Sequence, residues 1–169
     1  EMHGRVLKGM FAGRDLARLV EDRSGGGALE GVLVLDITRV VAGPYCSMIL
    51  ADLGATVIKV ENPGDPDYTR TFPPLLDRAG EEPLSGFFAQ YNRNKLGVTL
   101  NLKSPDAAAV LDRLVEKADV LVENFRPGVM ARLGYPADVV TERFPQLVVA
   151  SISGFGQTGP LAQRPAYDV

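Results

Sequence analysis

The stretch VLVLD at residues 32–36, with AGP at 42–44 and TVIKV at 56–60, decides the fold. Its two short apolar runs are typical of strands buried on both faces, and the segment between them is apolar at helical spacing. Pro44 suits the first turn of a helix, and Gly54 suits the left-handed position that follows the last turn. Strand, helix and strand in this order predict a right-handed βαβ unit in a parallel sheet, so the fold class is α/β.

The same alternation continues along the chain. Residues 104–106 are predicted to cap a helix that buries Val110 and Leu111. The other predicted elements are strands at 97–101, 119–123 and 147–151 and helices near 128–133 and 136–143. Residues 1–28 are predicted to be a helical extension with a Gly-rich hinge, and residues 29–169 the N-terminal part of a larger domain.

The composition is that of an ordinary soluble domain. The 169 residues carry a net charge of −3, which argues against a nucleic acid partner. Cys46 is the only cysteine and His3 the only histidine, so disulfides, metal sites and Ser-His-Asp triads are disfavoured, and Cys46 is interpreted as a buried apolar residue. No apolar run is long enough for a membrane span. We therefore expect a cytoplasmic protein without a metal, nucleic acid or membrane partner.

Two candidate sites follow from the rule that ligands bind where the strands of an open parallel sheet end. Residues 39–44 include small residues that allow a ligand to approach the backbone, and a tight turn with a packing glycine is the alternative. Residues 91–95 combine with Lys103 in a window, 83–105, that has three basic residues and no acidic one. This window suits a phosphate, and a solvated basic edge is the alternative.

Two further segments follow later strands. Residues 124–128 with Arg132 offer an amide, an aromatic ring and guanidinium groups, which suit a purine and its phosphates. Residues 153–160 carry three glycines, which indicates either close approach to a ligand or a surface turn. A nicotinamide or flavin site with Glu61 at the ribose is a competing interpretation, but the G-x-G-x-x-G spacing is absent.

Taken in order, these segments resemble the class III CoA-transferases, which include formyl-CoA transferase and, as a divergent branch, α-methylacyl-CoA racemase. The segments are LEGVLVLDITRVVAGPYCSMILADLGATVIKVENPGD from Leu29, NRNKLGVTLNLKSPD from Asn92, ADVLVENFRPGVMARLGY from Ala118, and SISGFGQTGP from Ser151 with RPAYD. The resemblance implies a Rossmann-like parallel sheet with helices on both faces, within a larger fold that forms an interlocked homodimer.

The resemblance also implies a reaction. Family members transfer CoA from an acyl-CoA thioester to a small carboxylic acid through aspartyl anhydride and aspartyl-CoA intermediates, with no metal or permanently bound cofactor. Their nucleophilic aspartate is expected beyond Val169, so the segment alone should be inactive. Asp168 and Tyr167 become candidates for positioning in the active site. The CoA contacts carry over to Val41, Ala42, Asn62, Leu100, Asn101, Leu102, Lys103, Asn124, Phe125, Arg126 and Arg132.

Three positions depart from the family pattern. Val41 replaces a glutamine and Asn62 an arginine of formyl-CoA transferase, which argues against formyl-CoA and oxalate specificity and removes one phosphate contact. Tyr167 stands where the racemase branch has its catalytic histidine, so a 2-methylacyl-CoA racemase or epimerase is the less favoured alternative. A non-catalytic CoA-binding or assembly module is the alternative from another class.

Overall fold

The structure is a computed structural model that describes residues 26–166. The strands are β1 (Leu33–Asp36), β2 (Thr56–Glu61), β3 (Leu75–Leu76), β4 (Leu84–Ser85), β5 (Lys95–Thr99), β6 (Val120–Glu123) and β7 (Val148–Ser151). The helices are α1 (Ala42–Asp52), α2 (Gly86–Asn92), α3 (Ala107–Val115), α4 (Val129–Arg132) and α5 (Ala137–Arg143), with a 3-10 helix at Tyr68–Thr71. Most of the predicted N-terminal extension, and both Tyr167 and Asp168, lie outside the described residues.

Five strands form one sheet in the order β5-β2-β1-β6-β7, and every neighbouring pair is parallel. Strand β1 lies at the centre, which fits the burial of all four of its residues. The chain adds β2 and β5 on one side of β1 and then β6 and β7 on the other, which is the doubly wound arrangement. The predicted Rossmann-like α/β fold is therefore confirmed.

Helices cover both faces of this sheet. Val34 and Val57 share one apolar cluster with Ala51 of α1. Leu35, the next residue along β1, belongs to the opposite cluster with Leu111 of α3, because successive side chains of a strand point to opposite faces. Within residues 26–166, no helix has both the length and the apolar character needed to cross a membrane.

Helix α1 begins and ends as its glycines predict. Gly54 has a φ of 102°, the left-handed conformation expected directly after the helix. Gly43 is buried against the side chain of Thr38, where an added Cβ would collide with the threonine. Gly43 therefore allows close packing of the helix on the end of β1, which supports the alternative of a tight turn with a packing glycine.

Two local predictions need correction. Strand β5 begins at Lys95, two residues before the predicted start at Gly97. Asp106 occupies the N-cap position of α3 but makes no side-chain cap, and the Ala107 N–H instead donates to the Ser104 carbonyl at 3.0 Å. A backbone turn thus satisfies the first N–H group of the helix, and no side-chain cap forms at Asp106.

Candidate functional site

A cavity of about 850 Å³ opens where the parallel strands end. Because β1, β2, β5 and β6 run in one direction, the loops that follow them lie at the same edge of the sheet and line this cavity. Its volume is within the range of small-molecule sites, roughly 300–1,000 Å³. Of the predicted contact residues, seven line it: Asn62, Leu100, Asn101, Leu102, Lys103, Phe125 and Arg132.

The charges of the cavity wall are unequally compensated. Three carboxylates of the wall each have a cationic partner, and the pairs are Asp65 with Arg39, Glu61 with Arg70 and Asp67 with Lys59. Lys103 and Arg132 form no salt bridge with another residue of the described chain. Two positive charges therefore remain in a wall that also contains the half-buried ring of Phe125, a combination that suits a phosphorylated ligand with an aromatic base.

Two carboxylates of the wall, Asp65 and Glu61, have pKa values below the ordinary ones. The hydrogen bonds and charge of Arg39 lower the pKa of Asp65. Burial by itself raises the pKa of Glu61, but hydrogen bonds from Arg70 and from the Asp67 N–H outweigh burial, and the pKa lies below its ordinary value. Glu61 thus has partners within the chain, which argues against the ribose-binding role of a nicotinamide or flavin site.

Four predicted contact residues do not line the cavity: Val41, Ala42, Asn124 and Arg126. Asn124 uses its amide on the neighbouring loop, where its Oδ1 accepts from the Arg39 N–H at 2.9 Å and its Nδ2 donates to the Arg39 carbonyl at 2.8 Å. Arg126 is exposed. Val41 and Ala42 lie at the start of α1, which has no side-chain cap.

The grouping of residues 91–95 with Lys103 in one phosphate site is wrong. Lys95 is buried, with its side chain 2% exposed, and its Nζ donates to Asp36 Oδ2 at 3.0 Å. Arg93 pairs with Asp52 at the end of α1. Because β5 starts at Lys95, this side chain turns onto the sheet face beneath α1 instead of entering a loop. Of the basic residues in that window, Lys103 alone lines the cavity.

The glycine-rich segment 153–160 also lies apart from the cavity. Gly154 packs against the side chain of Ala166, so its close approach is to the chain itself. Gly156 and Gly159 have positive φ angles of 83° and 95°, as turns require. These contacts support a surface turn at this place. Between residues 26 and 166, no group of three or more His, Cys, Asp or Glu side chains is arranged to hold a metal ion.

The sequence profile of CoA-transferase family III matches residues 29–169, which is most of the chain. The chain belongs to CoA-transferase family III. Acetyl-CoA:oxalate CoA-transferase of Acetobacter aceti is 50% identical to it over 142 residues, or 84% of this chain and 35% of the relative. Succinyl-CoA:glutarate CoA-transferase of Homo sapiens is 42% identical over 166 residues, or 96% of this chain and 37% of the relative.

Solved structures of the family share the architecture of this chain. A CaiB/BaiF family protein from Brucella suis is similar with a TM-score of 0.78 and 40% identity, over 84% of this chain and 37% of that one. Rv3272 from Mycobacterium tuberculosis is similar with a TM-score of 0.74 and 41% identity, over 84% of this chain and 39% of that one. This family III chain therefore spans little more than a third of the length of the relatives it matches.

Sequence reasoning missed a buried polar network beneath α1 of this family III chain. Asp36 ends the apolar strand β1 and Lys59 interrupts β2, yet both are buried, at 0% and 2% exposure. Asp36 Oδ2 accepts from Ser47 Oγ at 2.6 Å and from Lys95 Nζ at 3.0 Å. A charged residue within a buried apolar strand is the signal that indicates such a network, because a buried charge needs a partner.

Proposed function

We propose that this chain supplies much of the coenzyme A site of an enzyme that transfers CoA from an acyl-CoA to a small carboxylic acid. The observation that supports this most directly is the cavity at the carboxyl edge of the sheet. Its wall contains the ring of Phe125 and two cations, Lys103 and Arg132, that form no salt bridge within the described residues. CoA is a nucleotide with several phosphate groups, so it presents anions to the two cations and a base to the ring.

The names of the relatives suggest where to look for the acceptor acid. The curated relatives described above are named for oxalate and glutarate, which are small dicarboxylic acids. We propose that the acceptor belongs to the same chemical class. Assays of the intact protein therefore begin with small dicarboxylates in combination with acetyl-CoA and succinyl-CoA as donors.

The proposed reaction uses an aspartate expected beyond Val169. Its carboxylate oxygen attacks the thioester carbon, the C–S bond breaks, and CoA leaves as the thiolate, which gives a mixed anhydride. The thiolate then attacks the aspartyl carbonyl, the donor acid leaves as its carboxylate, and an aspartyl-CoA thioester remains. The acceptor carboxylate takes CoA by the same two steps in reverse. In this scheme the residues of the cavity bind and orient CoA, and they do not react.

Three further properties are proposed for the intact protein. It forms an interlocked homodimer and acts in the cytoplasm. It holds no permanently bound cofactor, because the covalent intermediates store the energy of the thioester. The segment alone is inactive, since it supplies binding residues without the nucleophile.

Binding of CoA tests the site. In the intact protein, Lys103→Ala and Arg132→Ala are each expected to weaken CoA binding about tenfold, because each removes one charge-assisted hydrogen bond to phosphate. Isothermal titration calorimetry measures the affinity. Lys117→Ala and Arg113→Ala are matched controls, because both side chains are exposed and neither lines the cavity. Unchanged affinity in both test variants would count against the site.

A chemical trap tests the reaction. Hydroxylamine or borohydride is expected to label one aspartate of the intact protein only after acyl-CoA is added, and mass spectrometry locates the label. Labelling that does not depend on acyl-CoA, or that never occurs, would contradict the covalent scheme.

Incubation with a 2-methylacyl-CoA in deuterated water tests the racemase alternative, because only a racemase exchanges the α-proton readily.

A further inference from the structure

The loop between β1 and α1, residues 37–41, contains one residue in an unfavourable backbone conformation. Val40 has a φ of 75°, one of two positive values among the non-glycine residues of the described chain. A β-branched side chain rarely occupies this region, and holding one there costs on the order of 1–3 kcal/mol. The loop keeps this conformation only if other contacts enforce it.

Side chains from other elements supply these contacts. Lys59 Nζ donates to the Thr38 carbonyl at 2.9 Å. Asn124 bonds both the N–H and the carbonyl of Arg39. The Val40 N–H donates to Asp67 Oδ2 at 3.0 Å. Three successive residues of the loop thus each have a backbone group held by a side chain from elsewhere in the chain.

Lys59 and Asp67 form the buried part of this arrangement. Their side chains are 2% and 0% exposed, and Lys59 Nζ lies 3.6 Å from Asp67 Oδ2. The second oxygen of Asp67 accepts from the N–H and the hydroxyl of Thr69, at 3.1 and 2.8 Å. Both oxygens of Asp67 are therefore occupied, one by the loop and one by the start of the 3-10 helix.

The loop joins this buried pair to the cavity. Arg39 lies in the cavity wall, where its guanidinium bonds Asp65 and the Pro66 carbonyl. If Val40 relaxed to a negative φ, the peptide planes on both sides of it would rotate, and Arg39 and the uncapped start of α1 would move with them.

We propose that Lys59 and Asp67 are positioning residues for ligand binding: they hold the strained loop at Val40 and so fix Arg39 and the start of α1 at the cavity. The effect on CoA rests on the proposed function, whereas the effect on the loop does not. Neither residue needs to touch the ligand, because both act through the backbone of the loop.

Two variants of the intact protein test this role. Lys59→Met removes the donor to the Thr38 carbonyl. Asp67→Asn keeps the shape of the side chain but leaves one oxygen for two tasks, so an NH₂ group faces either Val40 or Thr69. Each variant is expected to weaken CoA binding tenfold or more. Lys59→Met leaves the buried Asp67 carboxylate without its salt-bridge partner, which is strongly destabilising. If that variant does not fold, Asp67→Asn keeps the test decisive, because the substitution preserves the shape of the side chain and the charge of Asp36 still acts on Lys59.

The control separates positioning from general stability. Val140→Ala lowers stability by roughly 2 kcal/mol through a core cavity on the sheet face opposite Lys59, and Val140 itself does not line the ligand cavity. Val140→Ala is expected to leave CoA affinity unchanged, although its melting temperature falls about as much as that of the Lys59 and Asp67 variants. In the Asp67→Asn background, Val40→Gly is expected to restore part of the affinity, because glycine adopts a φ of 75° without strain.

Hydrogen exchange tests the loop without any ligand. The Val40 amide is expected to exchange at least tenfold faster in Asp67→Asn than in the wild type, while the Val57 amide in β2 keeps its rate. If the wild type binds no CoA, the proposed function fails and this measurement still decides whether the pair holds the loop. An unchanged Val40 rate, or a loss of affinity no greater than that of Val140→Ala, overturns the role proposed for Lys59 and Asp67.

Discussion

Asp36, at the end of β1, is a buried charge that neighbouring side chains compensate. It is fully buried, and its carboxylate accepts hydrogen bonds from Thr38, Ser47 and Lys95. Burial by itself raises the pKa of Asp36, but the charges of Lys59 and Lys95 and the two hydroxyl groups outweigh burial and hold the pKa below its ordinary value. Burial also lowers the pKa of Lys95, which Asp36 partly offsets. Asp36 and Lys95 can both remain charged in the interior because each is the other's partner.

The lowered pKa of Asp36 predicts a loss of stability in acid. The folded protein binds this proton more weakly than the unfolded chain, so the contribution is complete above the ordinary aspartate pKa, about 3.9, and is lost as pH falls through the lower folded value. In the intact protein, Asp36→Asn is expected to lose stability at neutral pH and to show a shallower further loss in acid. Urea unfolding between about pH 7 and about pH 3 measures both effects. If the free energy of unfolding fell equally steeply with pH in the wild type and in Asp36→Asn, the loss of stability in acid could not be assigned to Asp36.

At the scale of elements, the packing of α1 on β1 depends on one missing side chain. Gly43 lies in the first turn of α1, and its Cα faces the Thr38 side chain directly. The helix can approach the end of β1 because Gly43 has no Cβ. This approach also places Ser47, one turn further along, within hydrogen-bonding distance of the Asp36 carboxylate.

Gly43→Ala is expected to destabilise the protein by about 1–3 kcal/mol, because the new methyl group must displace Thr38 or the helix. Chemical unfolding of the intact protein measures the loss. Gly97→Ala is the matched control: an added Cβ at Gly97, in the edge strand β5, meets nothing within 4 Å. The control is expected to be neutral or slightly stabilising. Equal effects at the two positions would show that the contact with Thr38 has no energetic weight.

At the scale of the whole molecule, strand order brings distant loops together. The chain has a net charge of −3, yet two cations of its cavity wall, Lys103 and Arg132, form no salt bridge with residues 26–166. The parallel arrangement creates this local excess, because it gathers the loops that follow β1, β2, β5 and β6 at one edge. A local field of this kind attracts an anionic ligand despite the negative charge of the whole chain.

Ligand binding at this edge predicts a thermal shift. CoA at a hundred times its dissociation constant should stabilise the intact protein by about 2.7 kcal/mol, because it binds the folded state alone. Differential scanning fluorimetry is expected to show a rise in melting temperature with CoA and a smaller rise with pantetheine, which lacks the nucleotide phosphates. The absence of any shift with CoA, or an equal shift with pantetheine, would contradict a phosphate-binding cavity.

The sequence by itself determined the α/β class, the first βαβ unit and the general positions of the later strands and helices. These follow from local periodicity and from glycine and proline at helix ends, which act within a few residues. The resemblance to the CoA-transferases also gave seven residues that the structure places in one cavity wall.

Only the tertiary structure decided which charges remain available. Lys95 and Lys103 look alike in the sequence, but Lys95 is buried against Asp36 and Lys103 lines the cavity without a salt bridge. The positive φ of Val40 and the contacts of Lys59 and Asp67 with its loop are equally invisible in a local pattern. These features join residues far apart in the chain, and the order of the strands brings them together.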